Sequence, residues 1–258
     1  MDYGSSVSEY GNKNRMKPKA AIILSGRVSG WLQCLRDFEA AFSLYDYDIY
    51  CSLNCKEDDQ DFLQFSQYEH VKKIQAVLTK NIIDYSKFHI SEHHHRANMV
   101  SMFLHNKLAF ELIDQEYDVY IRARNDFLSA SVRNAHIRNT IIPMFSKDEL
   151  NKLWIPHCHK YGVYKFQMND QFALSNYENM KKYCSAIDHL ERYKKLSTLP
   201  FCPETMLAFH VAEQNLELDE FAFEYFLSAR RHRVTSIDRD NDIWRFVHEI
   251  SKNMGIQV

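Results

Sequence analysis

The densest chemistry in this chain lies in Tyr117-Asp118-Val119-Tyr120-Ile121-Arg122-Ala123-Arg124-Asn125-Asp126. Strand periodicity puts Val119, Ile121 and Ala123 on one face, and Tyr120, Arg122, Arg124 and Asp126 on the other. Two arginines on a strand that should be central are costly unless something anionic meets them. A diphosphate would do so, because a guanidinium binds phosphate oxygens through a planar fork. Asp126, at the carboxyl end of the strand, could hold a divalent cation bridging the same diphosphate. The plainer alternative is an ion pair between these arginines and acids such as Asp118.

A second segment is Asn169-Asp170-Gln171-Phe172-Ala173-Leu174. Taken alone, Asp170 reads as the N-cap of a helix beginning near it. An ionised carboxylate held there is also where a base could deprotonate an acceptor hydroxyl. Asn169 and Gln171 flank it as candidate acceptor contacts, and the aromatic stretch Tyr161-Gly162-Val163-Tyr164 upstream could lie against a sugar ring. In Cys202-Pro203-Glu204, Pro203 opens a further helix and Glu204 is a third candidate contact; favourable placement of an acid at a helix start accounts for it equally well.

Other clusters carry less. His93-His94-His95 cannot all face one ion, and no acid stands at ligand spacing, so a solvated loop is the better reading. Cys51 and Cys55 would share a strand face, but the nearest complement for a zinc site is His157-Cys158-His159, and no second cysteine pair exists. P-loop, Gly-X-Gly-X-X-Gly and Gly-X-Ser-X-Gly motifs are all missing, which argues against a kinase, a Rossmann dehydrogenase and an α/β hydrolase.

The elements that must position these residues alternate between strand and helix. Ala20-Ala21-Ile22-Ile23-Leu24 is a continuous apolar run, as in a parallel strand buried on both faces, and it ends in Ser25-Gly26-Arg27. An amphipathic helix with Trp31, Leu32, Leu35, Phe38, Ala41 and Phe42 follows, then a strand from Asp48 to Leu53 that runs to Asn54. This strand–helix–strand unit has its loops at the strand carboxyl ends. Residues 56–70 read as loop or short helix, and Val71 to Leu78 as a third strand or turn. A long helix is expected over Asn98–Gln115, with Met99, Met102, Phe103, Phe110 and Ile113 on one stripe. Further strands are expected over Asn139–Phe145 and Leu153–Pro156, a helix near Asn176, and a late strand over Leu216–Phe226.

Composition bounds the class. The chain has 258 residues, 45 % hydrophobic and 26 % charged, and so can bury one sizeable core. With 6 Gly and 5 Pro it has little material for linkers, so residues 1–18 are expected to form a disordered tail and 19–258 a single domain. The 17 Phe and 15 Tyr belong mainly to the core. Net charge is −2, and the cluster Arg230, Arg231 and Arg233 is too small for a nucleic-acid footprint. No apolar run reaches the roughly 20 residues of a membrane span. Without an export signal, the six cysteines read as reduced thiols and the expected compartment is cytoplasmic.

The order of these segments resembles that of the small glycosyltransferases found in bacterial and large-virus surface-glycan clusters. It comprises an apolar strand ending in Ser-Gly-Arg, a helix leading into Tyr-Asp-Val-Tyr-Ile-Arg-Ala-Arg-Asn-Asp, then Asn-Asp-Gln-Phe-Ala-Leu-Ser-Asn-Tyr-Glu-Asn-Met, then Pro-Glu and a late arginine. The likeness covers about residues 20 to 232. It implies an α/β GT-A-type (nucleotide-diphospho-sugar transferase) fold with a mixed, mostly parallel central sheet flanked by helices. It also implies a nucleotide-sugar donor on the carboxyl edge of that sheet and a glycan acceptor. Ser25, Gly26, Arg27, Asn54, Arg122, Arg124 and Asp126 would then bind the donor, and Asp170 would serve as general base, with inversion favoured over retention. Such enzymes usually have an Asp-X-Asp motif for manganese or magnesium. Here Arg124 occupies its first acidic position, leaving Asp126 as the expected metal ligand. The rivals are a non-catalytic nucleotide-sugar or glycan-binding module on the same fold, and a nucleotidyltransferase.

Overall fold

The computed structural model describes residues 16–26, 31–90, 96–124, 127–129, 141–156, 168, 170–196, 201–221, 223 and 225–227. Nine strands and six helices occur among them: β1 (Lys19–Gly26), α1 (Trp31–Ala41), β2 (Asp46–Leu53), α2 (Gln60–Phe65), β3 (Val71–Ala76), α3 (Ala97–Glu111), β4 (Val119–Ala123), β5 (Phe127–Ser129), β6 (Leu153–Pro156), β7 (Ala173–Ser175), α4 (Tyr177–Cys184), α5 (Ala186–Leu196), α6 (Pro203–Glu213), β8 (Leu218–Phe221) and β9 (Tyr225–Leu227).

Seven strands form one sheet in the order β3-β2-β1-β4-β7-β6-β8. β3, β2, β1 and β4 are parallel, β7 is antiparallel to both β4 and β6, and β8 is parallel to β6. The expected class, α/β with a mixed and mostly parallel sheet, is what the chain adopts. β1 sits in the interior of the sheet, between β2 and β4, because it can: Ala20 to Leu24 are at most 1 % exposed, so both faces of this run are covered.

Helices cover the two faces. Ala21, Ile23 and Tyr120 point into a core shared with α3, α4, α5 and α6, whereas Ala20, Ile22, Leu24, Val119, Ile121 and Ala123 point into one shared with α1 and α2. The two-residue alternation expected for β4 therefore holds. Helix α3 is buried on most of its circumference and not along one stripe only; Ser101, His105 and Asn106 are buried with the apolar residues. His105 and Asn106 face the sheet, reaching Ser52 on β2 and Ser25 and Arg122 on β1 and β4.

Three local expectations are corrected. Asp170 does not start a helix: the next element is β7, and the helix begins at Tyr177, capped by Asn176, whose side chain accepts from the Asn179 N–H at 2.9 Å. The apolar run Phe172-Ala173-Leu174 is short because it crosses the sheet once and turns directly into α4. Residues 141–146 form no strand; Ile142 instead donates its N–H to the Ala41 carbonyl at the end of α1, and Phe145 packs on Trp154 with ring centroids 4.8 Å apart. The stretch 216–226 contains two strands, β8 in the main sheet and β9 paired with β5. No helix among the described residues is long and apolar enough to cross a membrane.

Candidate functional site

The chain lays down β1, β2 and β3 towards one side, then returns to place β4 on the other flank of β1. In an open parallel sheet this reversal separates the connections leaving two adjacent strands and opens a crevice at their carboxyl ends, where ligands characteristically bind. Here those ends are Ser25-Gly26 on β1 and Ala123 on β4, with Arg124 immediately beyond. Because β7 runs the opposite way, its beginning lies beside the end of β4, with Ala173 opposite Arg122. Asp170, three residues upstream, is thereby delivered to the same edge. The aromatic pair Phe172–Phe223, 5.0 Å between centroids, anchors that segment against the chain leaving β8.

Gly26 ends β1 with φ +109°, a conformation that side-chain-bearing residues rarely adopt, and a Cβ placed there would meet none of the described residues within 4 Å. A ligand can therefore approach this backbone directly. Asn54, the first residue after β2, is committed to the scaffold: its N–H donates to the Gly26 carbonyl at 3.0 Å, and its Oδ1 accepts from the Thr79 N–H at 3.1 Å.

Beneath the edge runs a buried polar seam supplied by α3. Asn106 Oδ1 accepts from Ser25 Oγ at 2.6 Å and from Arg122 Nε at 3.2 Å, which uses both of its lone pairs. The Arg122 guanidinium also donates to the backbone carbonyl of Asp170. One position earlier, His105 reaches β2: Nδ1 lies 2.8 Å from Ser52 Oγ, and Nε2 lies 3.1 Å from Thr79 Oγ1, which in turn contacts Ser101 Oγ at 2.8 Å. Burial pushes the His105 imidazole down to about 4, so it stands neutral among these hydroxyls.

Arg122 is 1 % exposed, which corrects the expectation that both guanidinium groups line the open crevice. Nor does it pair with Asp118, whose carboxylate, at the other end of the strand, accepts from the Lys19 N–H at 2.9 Å. Among the described residues, its hydrogen-bond partners are two neutral oxygens. Desolvating a cation costs several kcal/mol, and two charge-assisted hydrogen bonds return about 1.5–3 kcal/mol each. The balance is close to even, so stability does not explain this arginine. Its charge is close enough to be felt by the buried Tyr183 phenol, which burial pushes up, Arg122 pulls down and Asp170 pushes up again. Tyr183 is 1 % exposed, and among the described residues its hydroxyl has no hydrogen-bond partner.

Of the remaining expected residues, Arg124 and Gln171 are half-buried on either side of this edge, and Asp170 is 8 % exposed. Glu204 belongs to a different element, the first turn of α6. Arg27, Asp126, Tyr161 and Asn169 lie outside the described residues, as do His93-His94-His95 and the arginines 230, 231 and 233. Asn106 and His105 were not singled out from the sequence. A signal existed for the first: Asn106 completes the spacing of Met99, Phe103, Phe110 and Ile113, so a polar amide sits inside an apolar stripe.

The described residues of the edge offer one carboxylate, Asp170, and the guanidinium of Arg124. A hard divalent cation takes several oxygen ligands, and Asp126, the ligand expected from the sequence, lies outside the described residues. No family model matches the chain, and no curated protein matches it.

Proposed function

We propose that the chain is a glycosyltransferase of GT-A type, moving a sugar from a nucleoside-diphosphate donor to a hydroxyl of a glycan acceptor. One observation carries this reading: a buried cation, a carboxylate and an open glycine backbone converge on the switch point of a mostly parallel sheet. Arg122, compensated by neutral oxygens, sets a positive potential beneath the crevice, and in a low-dielectric interior such a charge acts at range. Ser25 and Gly26 present the end of β1 to the donor, and Arg124 stands where a leaving diphosphate would need neutralising. The acceptor oxygen attacks the anomeric carbon, its proton passes to the Asp170 carboxylate, and the carbon–oxygen bond to the diphosphate breaks with its electron pair on the diphosphate.

The test is release of nucleoside diphosphate from a panel of nucleotide-sugars with glycan acceptors. Asp170→Asn should lower turnover at least about a hundredfold while donor binding and the melting temperature hold. Undiminished turnover in that variant removes Asp170 from the reaction. Arg124 in the first acidic position of the metal motif favours a second reading, a binding module without turnover. Nucleotide-sugar binding with no diphosphate released by the wild-type chain would select it.

A further inference from the structure

Away from the sheet edge, α5 and α6 bring together His189, His210 and Glu213, each offering a ligand atom within 4.8 Å of the others. His210 and Glu213 are one helical turn apart on α6 and therefore share a face. We infer that these three side chains form a binding site for a borderline divalent transition-metal ion of the zinc class, which staples α5 to α6.

The proton inventory argues for a cation here. His210 Nε2 lies 2.6 Å from the Lys182 carbonyl, an oxygen that can only accept, so Nε2 carries a proton and Nδ1 is the ring nitrogen left to ligate. That Nδ1 faces the Tyr193 hydroxyl at 2.9 Å, and the same hydroxyl contacts Glu213 Oε2. A phenol has one proton for two acceptors, so with His210 neutral one acceptor is left facing a lone pair. An ion bound by Nδ1 and Oε2 resolves that conflict. The Lys182 carbonyl is also the outer partner that metal-bound histidines characteristically have, fixing the tautomer and the ring orientation.

Geometry and ligand chemistry agree. His189 Nδ1 and Glu213 Oε2 are 3.4 Å apart, and ligands about 2.0–2.1 Å from one tetrahedral ion stand about 3.4 Å from each other. Two imidazoles and a carboxylate suit zinc better than magnesium or calcium, which prefer all-oxygen shells. His210 is fully buried, but His189 is one-third exposed and opens the site to solvent. Arg192 pairs with Glu213 through Oε1, leaving Oε2 turned inward. This guanidinium is the strongest argument for the rival, a hydrogen-bonded cluster closed without metal.

Titration of the full chain with Zn2+, after chelator treatment, decides between them. One equivalent should bind and raise Tm by about 5 °C at saturation. Co2+ in its place should give a tetrahedral visible spectrum without a thiolate charge-transfer band. His189→Ala and Glu213→Gln should each remove both effects while the metal-free variants melt cooperatively. No Tm shift in the wild type, a shift that survives in either variant, or a thiolate band from the cysteines would overturn the site.

Discussion

Arg122 owes its place to Asn106 more than to its own strand. A lone arginine on a β-strand can be read as a ligand contact or half of an ion pair, and both readings assume a charged partner. The partner is an amide on α3 together with a backbone carbonyl, which no inspection of the strand by itself could supply. Replacing Asn106 by Leu leaves Arg122 and Ser25 without their shared acceptor, and should cost about 3 kcal/mol in chemical denaturation. Asn106→Asp tests the electrostatic part separately. It keeps an acceptor in place and should change stability by about 1 kcal/mol or less, yet it cancels the field of the guanidinium. Nucleotide-sugar affinity, measured calorimetrically, should then fall about tenfold or more.

At the scale of elements, the strongly patterned pieces were legible and the short ones were not. The apolar run of β1, the Pro203 start of α6 and the four residues of β6 declare themselves through hydrophobic continuity or backbone chemistry. β7 does not, because three residues carry no period, and an acid followed by apolar residues resembles a helix start. What makes β7 a strand is pairing with β4 and β6, a tertiary effect that outweighs local preference. The true cap lies at Asn176, where the chain leaves the sheet. Its side chain also donates to Asn151 Oδ1 at 3.3 Å, tying α4 to the turn Glu149–Asn151 before β6. Asn176→Ala should cost about 1 kcal/mol, and Asn176→Asp, which can still cap, should cost less; urea midpoints would rank the two.

For the whole molecule, the polar seam implies a pH dependence. His105 ionises ordinarily near 6.5 and in the folded chain only near 4, so between these values the unfolded chain binds a proton that the folded chain does not. Stability contributed by the neutral histidine is complete above about pH 6.5 and is lost as pH falls towards 4, by up to about 3 kcal/mol. His210 is shifted in the same direction, so His105→Gln should flatten part, and not all, of the acid limb when unfolding free energy is measured against pH. Equal slopes in variant and wild type would show that His105 does not carry this term.

β6 ends, and β7 begins, on the edge that carries Gly26 and Arg124, because β7 alone runs backwards in the main sheet. Both ends of the link between them, Pro156 and Ala173, thus stand on the same edge of the sheet. Under the proposed function, evolution or an engineer can lengthen or rewrite the stretch between Pro156 and Met168 to suit a different acceptor while Asp170, Phe172 and the strand pairings are kept, so the reversed strand separates what the molecule recognises from how it folds.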